Sequence, residues 1–368
     1  MDHNRHFMAA IIDVKKAFDC VEHDILITKL ERYGIRGVPL RWIQSYLENQ
    51  RCYVQIGPFK SKTNTFNIGV PQGSILGPTL FLIYVNNLPK FSDILMTQLF
   101  ADDTIVSNAG PDINTLIGTT NAELYKLKDW TQANKLTIHA GKSKLLVVSN
   151  KRIPEPENLN ITLLDTIISP SNHCKYLGIY LDDKMTFNVH IQHVCSKISR
   201  YTGILYKIRD NLPIKTRLHF YYAYIYPYLS YNTMIWGGAY DTHLQPLLLQ
   251  QKRTIRTIAS AGFRDHTNPL FKQYQLLKIN DIYNFQLGTY MFKARARGDY
   301  SMQTRYSTRR PNNARSTFHR LSSTQHAVSY AGPTFWNSLP PNLKSINSLN
   351  AFRKALKQFL LDKYNDNE

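Results

Sequence analysis

Three carboxylates are the side chains of this 368-residue chain best placed to do chemistry: Asp13, closing the apolar run FMAAII at 7–12, and Asp102 with Asp103 inside LFADDTIV at 99–106. An unbroken apolar run suits a buried strand that delivers a polar residue at its tip. Apolar residues on both sides of a tight acidic pair suit a hairpin that presents the pair at its turn. If tip and turn share a location, three like charges crowd one site, which is costly unless divalent cations bind. Two hard cations held by carboxylates are what in-line phosphoryl transfer uses, so that is the chemistry to expect. Taken alone, the DxxxAFD box beginning at Asp13 reads more readily as a helix cap, and the Asp102–Asp103 pair as a solvated turn. The elements that position them decide between these readings.

After the first strand, Asp19 and Glu22 have capping-box spacing, and Val21, Ile25, Leu26, Leu30 and Tyr33 form one apolar stripe that Gly34 can close, which predicts a helix. A second helix is expected from Pro39 to about Asn49, then an alternating strand at Cys52, Val54 and Ile56 and a turn at Gly57-Pro58. Residues 35–68 together read as an insertion. Beyond it come a buried helix at 78–88, the acidic hairpin, and a long helix capped by Asp112 with Leu116, Ile117, Leu124, Leu127 and Trp130 on one face. A strand at 145–149 ends the series. Without the insertion the order is β-α-β-β-α-β, a ferredoxin-like α+β arrangement that sets the first strand beside the central hairpin. Asp13 and Asp102 can then lie together although 89 positions separate them.

Bulk properties agree. With 43% apolar residues the chain can bury a sizeable core, divided between two or three subdomains. Forty-five Lys and Arg against 26 Asp and Glu leave a formal charge of +19, which favours a polyanionic partner through phosphate contacts and counterion release. The longest apolar stretches, at 75–85 and 220–229, are too short to span a bilayer, so no membrane partner is expected. The opening MDHNRHF has no apolar signal core, and the cysteines at 20, 52, 174 and 195 form no CxxC pair, which fits reduced thiols in an intracellular, non-secreted protein.

Five segments in order carry a family resemblance: IIDVKKAFDCVEHDIL, GVPQGSILGPTLFLIYVNNLP, LFADD, HAGKSKLLVVS and KYLGIYLDD. They resemble the successive palm motifs of reverse transcriptases, in the form found in non-LTR (LINE-type, jockey-like) retrotransposons. The resemblance implies an RNA-directed DNA polymerase with two Mg²⁺ ions (Mn²⁺ a substitute) on Asp13, Asp102 and Asp103. It implies an RNA template, a DNA primer and dNTPs as partners, and a nuclear location with a cytoplasmic phase. Phe18 matches a steric gate against a 2′-hydroxyl, or else is a core aromatic at a helix start. Val14, Lys15, Lys16 and Ala17 would run beneath the incoming triphosphate, where backbone N–H groups can bind anionic oxygens. Gln72 and Gly73 match the loop along the template and nascent base pair, and Tyr176, Leu177 and Gly178 match the primer grip, unless they form an ordinary hairpin.

Lys142 resembles the lysine that protonates departing pyrophosphate, a role an ammonium can fill. The family pattern has Asn three residues earlier and Thr after, whereas His139 and Ser143 stand here, and Lys144 competes for the role. The sequence also holds a second acidic box, Tyr180-Leu181-Asp182-Asp183, of the YxDD form used elsewhere as a metal turn. Its place after KYLG and the polar run from Lys184 assign it to an exposed, non-catalytic turn. His173, Cys174, His190, His193 and Cys195 fit no standard zinc spacing.

From about 186 to 292 the pattern becomes helical, as a thumb would be after a palm over 1–185. Ile191, Val194, Ile198, Tyr201, Leu205 and Ile208 make one packing face. Phe220, Tyr221, Tyr222, Tyr224, Tyr226, Tyr228, Tyr231 and Trp236 are expected mostly in the core, with a few beside Lys252, Arg253 and Arg256 as candidate contacts to a template–primer duplex. Residues 293–325 read as a basic flexible arm. Residues 326–368 read as a C-terminal helical segment in which Leu349, Phe352, Leu356 and Phe359 share a face. No endonuclease or RNase H segment is visible. Because only about six residues precede the first palm strand, the fingers that clamp a triphosphate are expected to be missing. Two expectations follow: a polymerase, or a weak or inactive nucleic-acid-binding remnant of one.

Overall fold

A computed structural model describes residues 5–149, 151, 159–299, 314 and 327–364. The chain divides into two compact units, His3–Gly178 and Ile179–Glu368. Most of the expected basic arm lies outside the described residues; its first positions, 293–297, close a helix instead.

The first unit is built on a four-stranded sheet of β1 (His6–Ile12), β6 (Met96–Phe100), β7 (Asp103–Gly110) and β8 (Lys144–Val148), in the order β6-β7-β1-β8 with every pair antiparallel. Alternation along the strands sorts their side chains. Met8, Ala10 and Ile12 of β1, Val106 of β7 and Leu145 and Val147 of β8 turn to one face and join Leu116, Leu124 and Leu127 of α4 (Ile113–Ala133) in a core. Each of these side chains larger than Ala10 contributes about 1.5–3 kcal/mol on full burial. As expected, Asp112 caps α4: its carboxylate accepts from the Thr115 N–H at 2.7 Å.

A second core holds α1 (His23–Arg32), α2 (Val38–Leu47) and α3 (Leu76–Val85), with Val21, Leu26, Leu30, Leu80, Phe81 and Tyr84 buried. The stripe read from Val21 to Leu30 is therefore the packing face of α1. Its start differs from the expected capping box. Residues 17–20 form a 3₁₀ turn, Glu22 is the N-cap without a side-chain bond, and the Asp19 carboxylate accepts from Gln72 instead. The insertion carries four short strands, β2 (Gln50–Cys52), β3 (Gln55–Ile56), β4 (Phe59–Lys60) and β5 (Asn64–Phe66), paired as β2 with β5 and β3 with β4. β9 (Ile161–Leu163), β10 (Thr166–Ile168) and β11 (His173–Tyr176) complete the unit.

The second unit opens with β12 (Ile179–Asp182) and is otherwise helical: α5 (Asn188–Ile208), α6 (Ile214–Tyr224), α7 (Tyr226–Ser230), α8 (Thr233–Trp236), α9 (Asp241–Ala259), α10 (Asn268–Gln273) and α11 (Ile279–Arg297), then α12 (Val328–Ser338), α13 (Pro341–Lys344) and α14 (Leu349–Leu361). Ile191, Val194, Ile198 and Leu205 of the expected stripe are buried, Tyr201 is half-buried and Ile208 stands exposed. The C-terminal helices share this core, since Trp336, Phe352, Leu356 and Leu360 pack in one cluster with Ile198, Trp236 and Leu247. Tyr364 fastens the end of the chain: its hydroxyl donates to Asp281 at 2.6 Å and accepts from the Lys278 N–H at 2.9 Å. Three of the eight aromatics expected mostly in the core, Tyr222, Tyr224 and Tyr231, are exposed.

Candidate active site

The sheet register aligns the two acidic segments. On β1 and β7 the pairs end at Ile12 opposite Thr104, so one step further sets Asp13 level with Asp103. Because β6 and β7 close at the pair Phe100–Asp103, Ala101 and Asp102 form a two-residue turn, with Ala101 at φ 55°. Even-numbered residues of β1 and β7 face the core, which leaves Asp13 and Asp103 on the opposite side of the sheet. Burial, then the charge of Asp102, then that of Asp13, raise the Asp103 pKa above the ordinary carboxylate value. Asp103 therefore feels the charge of both other acids. The core face behind the turn is packed down to an apolar cavity of about 20 Å³ lined by Ile12, Phe81, Ala101 and Trp130, room for about one water.

Asp13 is pinned from the side of β8. Its N–H donates to Ser143 Oγ at 3.2 Å, and its carbonyl accepts from the His139 N–H at 2.7 Å. Val14 bridges Ile138, and the Lys15 N–H donates to the Thr137 carbonyl at 2.8 Å. The HAGKS turn thus serves as the clamp for the first carboxylate. Sequence reasoning noted Ser143 only as a departure from a pattern, yet it is buried and makes the clamping bond. Lys142 lies on the exposed crest of the turn, its N–H bonded to the His139 carbonyl at 2.9 Å. Lys144 begins β8 opposite Ile11, and alternation puts it on the same side of the sheet as Asp13.

The segment after Asp13 and the GVPQG loop are zipped together. Gly69 N–H donates to the Val21 carbonyl at 2.7 Å, Val70 N–H to the Phe18 carbonyl at 2.9 Å, and His23 Nε2 lies 2.7 Å from the Gly69 carbonyl. Gly69, at φ +87°, is required here because a Cβ would come within 2.9 Å of the Asp19 carbonyl oxygen. Gln72 Nε2 donates to Asp19 Oδ1 at 2.8 Å, while Gly73 at φ +82° has open space around it. Phe18 stacks on Phe81 with centroids 4.6 Å apart, so its core reading and its gate reading share one placement. Lys15 and Lys16 are exposed, Val14 is half-buried and Ala17 is buried.

Tyr176 ends β11, and its phenol pKa is raised by burial and then by the charge of Asp103. Leu177 at φ 44° and Gly178 at φ 80° have the paired positive φ of a type I′ turn. Lys29 was missed: its Nζ donates to Tyr84 O, to Asn87 Oδ1 at 3.0 Å and to Asn134 Oδ1, joining α1, α3 and the end of α4. Burial lowers its pKa to about 8. Only its position on the polar edge of an apolar stripe could have drawn notice.

Within the second unit, Asp182 of the competing acidic box is buried, and its carboxylate accepts from the N–H groups of Lys184 (3.2 Å), Thr186 (2.8 Å) and Phe187 (2.6 Å). That carboxylate ties down the turn at 183–187 ahead of α5, so Asp182 is not part of the exposed turn expected from the sequence. His190 packs edge-on against Trp236, and burial lowers its pKa to about 4. Burial pushes the Cys174 and Cys195 thiols up to about 11. Lys252 and Arg256 are half-buried on α9 and Arg253 is exposed; Arg256 Nε donates to the Asp265 carbonyl at 2.9 Å.

Among the described residues, no three His, Cys, Asp or Glu side chains converge as a ready-made metal cage. The donor set of Asp13, Asp102 and Asp103 nevertheless fits hard divalent cations: all its donors are carboxylate oxygens, and their mutual repulsion is what a cation would relieve.

The sheet thus sets Asp13 level with Asp103, and the GVPQG loop and the HAGKS turn are both bonded to the segment that runs through Asp13. Residues 1–181 match the family described as reverse transcriptase (RNA-dependent DNA polymerase), and this segment is a reverse transcriptase domain whose relatives are polymerases of non-LTR elements. It is 26% identical over 292 residues to the RNA-directed DNA polymerase from mobile element jockey of Drosophila melanogaster, covering 76% of this chain and 31% of that protein. It is 25% identical over 291 residues to the probable RNA-directed DNA polymerase from transposon X-element of the same species, covering 77% and 32%. The chain thus spans about a third of the length of these curated relatives. A structure of telomerase from Candida albicans in complex with a fragment of telomeric RNA aligns over 95% of this chain and 49% of that one, at 10% identity and a TM-score of 0.41, too loose a likeness to bear on the fold. The reverse transcriptase family generally uses divalent metal ions. No described helix is long and apolar enough to cross a membrane.

Proposed function

We propose that this chain is the ferredoxin-like palm, over 1–185, and helical thumb, over 186–292, of an RNA-directed DNA polymerase that extends a DNA 3′ end on an RNA template with dNTPs. The observation that carries the reading is the register that sets Asp13 level with Asp103 beside the Asp102 turn. In this reading Asp13, Asp102 and Asp103 hold two Mg²⁺ ions, which when bound activate the primer 3′-hydroxyl and stabilise the leaving pyrophosphate. The protein's own part is placement. Ser143 and His139 fix the backbone of Asp13, and the N–H groups of Val14, Lys16 and Ala17 face the triphosphate, that of Lys15 being taken by the Thr137 carbonyl. Phe18, backed by Phe81, sets the floor beneath the sugar, and Asp19 orients Gln72 beside the nascent pair with Gly73 leaving it room. Tyr176, Leu177 and Gly178 hold the primer end, and Lys252, Arg253 and Arg256 meet duplex phosphates. Lys142 is assigned the proton delivered to pyrophosphate; Lys144, on the carboxylate side of the sheet, is its rival.

The test is primer extension on an RNA template with Mg²⁺. The reading predicts extension that Asp103→Ala abolishes and Asp183→Ala leaves intact. Duplex binding that persists in EDTA, with no extension by the unaltered chain, would identify a binding remnant instead.

A further inference from the structure

The insertion carries a second feature that the polymerase site does not use. Its four strands make one two-stranded ribbon, β2 with β5 at the base and β3 with β4 at the tip, turning at Gly57. Between the two ladders, Tyr53 and Val54 stand against Ser61, Lys62 and Thr63, two residues against three, which is a bulge. Val54 and Ser61 hold it closed: Val54 N–H donates to Ser61 Oγ and Ser61 N–H to the Val54 carbonyl, both at 2.9 Å.

No side chain from Arg51 to Ile68 is buried, and Ile56 and Phe59 near the tip are 76% and 78% exposed. A two-stranded ribbon of this kind gains little from its own packing. Its apolar side chains therefore do not serve the core, and an exposed apolar patch of this sort marks a contact surface.

The charge pattern names the partner. From Asn49 to Ser92 there is no Asp or Glu, while Arg51, Lys60 and Lys62 lie on the ribbon. Lys60 Nζ sits 5.0 Å above the Tyr53 ring, so cation and aromatic face present together. Aromatic faces interleaved with cations suit unstacked bases on a phosphate backbone. Bases are free to lie against exposed aromatic faces where the strand is single and they are splayed out of the stack.

We propose that the ribbon at 50–66 is a stacking platform for single-stranded RNA, with Tyr53 and Phe59 against bases and Lys60 and Lys62 against phosphates. The platform works without the carboxylates and without metal, so its test is separate from that of the polymerase reading.

The full-length chain is titrated in EDTA with a fluorescent oligouridylate and, separately, with an RNA–DNA hybrid of the same length. Tyr53→Ala with Phe59→Ala lowers affinity for the oligouridylate about fivefold or more and leaves hybrid affinity within about twofold. Lys60→Gln with Lys62→Gln lowers the salt slope for the single strand by about 0.7 for each lost phosphate contact. The side chains are exposed, so the variants fold, and circular dichroism melting verifies it. Unchanged oligouridylate affinity overturns the proposal, as does equal weakening of both probes. A shift from dimer to monomer in sedimentation with RNA affinity unaltered also overturns it and makes the ribbon a contact between copies of the chain.

Discussion

Replacing Gly69 by alanine tests whether the site is held in the way its hydrogen bonds suggest. Two costs arise. At φ +87° an L-residue is in the left-handed region, a penalty of about 1–2 kcal/mol. The new Cβ would also lie 2.9 Å from the Asp19 carbonyl oxygen and 3.0 Å from the Asp19 Cα, both backbone atoms that cannot rotate away. Overpacking of that kind costs about 1–3 kcal/mol more. Relief requires separating the loop from the 18–23 segment, which strains the bonds from Gly69 N–H to Val21 and from Val70 N–H to Phe18. Gly73→Ala is the control: φ is +82° there but nothing lies within 4 Å of the added carbon, so only the first cost of about 1–2 kcal/mol applies. Urea denaturation should therefore show Gly69→Ala losing roughly twice the free energy lost by Gly73→Ala. Hydrogen exchange should speed up at Val70 in the first variant alone. If Gly69→Ala is no more destabilising than Gly73→Ala and Val70 keeps its protection, the loop is not docked through these contacts.

Other expectations follow from single residues. Asp182→Ala removes a buried carboxylate that satisfies three backbone N–H groups and should cost about 2–3 kcal/mol, whereas Asp183→Ala should stay within about 0.5 kcal/mol, both read from urea melts. Lys29 has a folded pKa of about 8 against 10.5 unfolded, so the folded state sheds the proton first. The unaltered chain should accordingly gain stability relative to Lys29→Met as pH rises from about 8 towards 10.5, and a gap that is flat across that window refutes the buried placement. Asp103 must ionise to hold a cation and its pKa is raised, so Mn²⁺ affinity should still be rising with pH where an ordinary aspartate has already ionised. Calorimetric titration in that range checks this.

Much of the site was legible before the fold. The apolar strand ending in Asp13 and the acidic hairpin follow from local pattern, and their meeting follows from element order alone. Other features depend on atoms far apart in sequence. The spacing of Asp19 and Glu22 suits a capping box, but the tight 17–20 turn leaves Asp19 free to take the amide of Gln72, 53 positions away. Ser143 acts through Asp13, 130 positions distant, which no local pattern encodes. The aromatic run 220–222 with Tyr224 was overassigned to the core because successive residues turn about 100° around a helix. One packing face cannot take all four, and Tyr222 and Tyr224 stay outside. The YxDD form of the second acidic box did not reveal that Asp182 is buried, since the N–H groups it binds belong to a turn that only the fold defines.

The central claim is that two distant acidic segments form one cation site. Iron-directed backbone cleavage tests it most directly: Fe²⁺ replaces Mg²⁺, peroxide and ascorbate are added, and the cut positions are mapped. The account predicts paired cuts near Asp13 and near Asp102–Asp103, both suppressed by excess Mg²⁺ and by Asp103→Ala. Cuts at only one of the two segments, or centred on Asp182–Asp183, would contradict it.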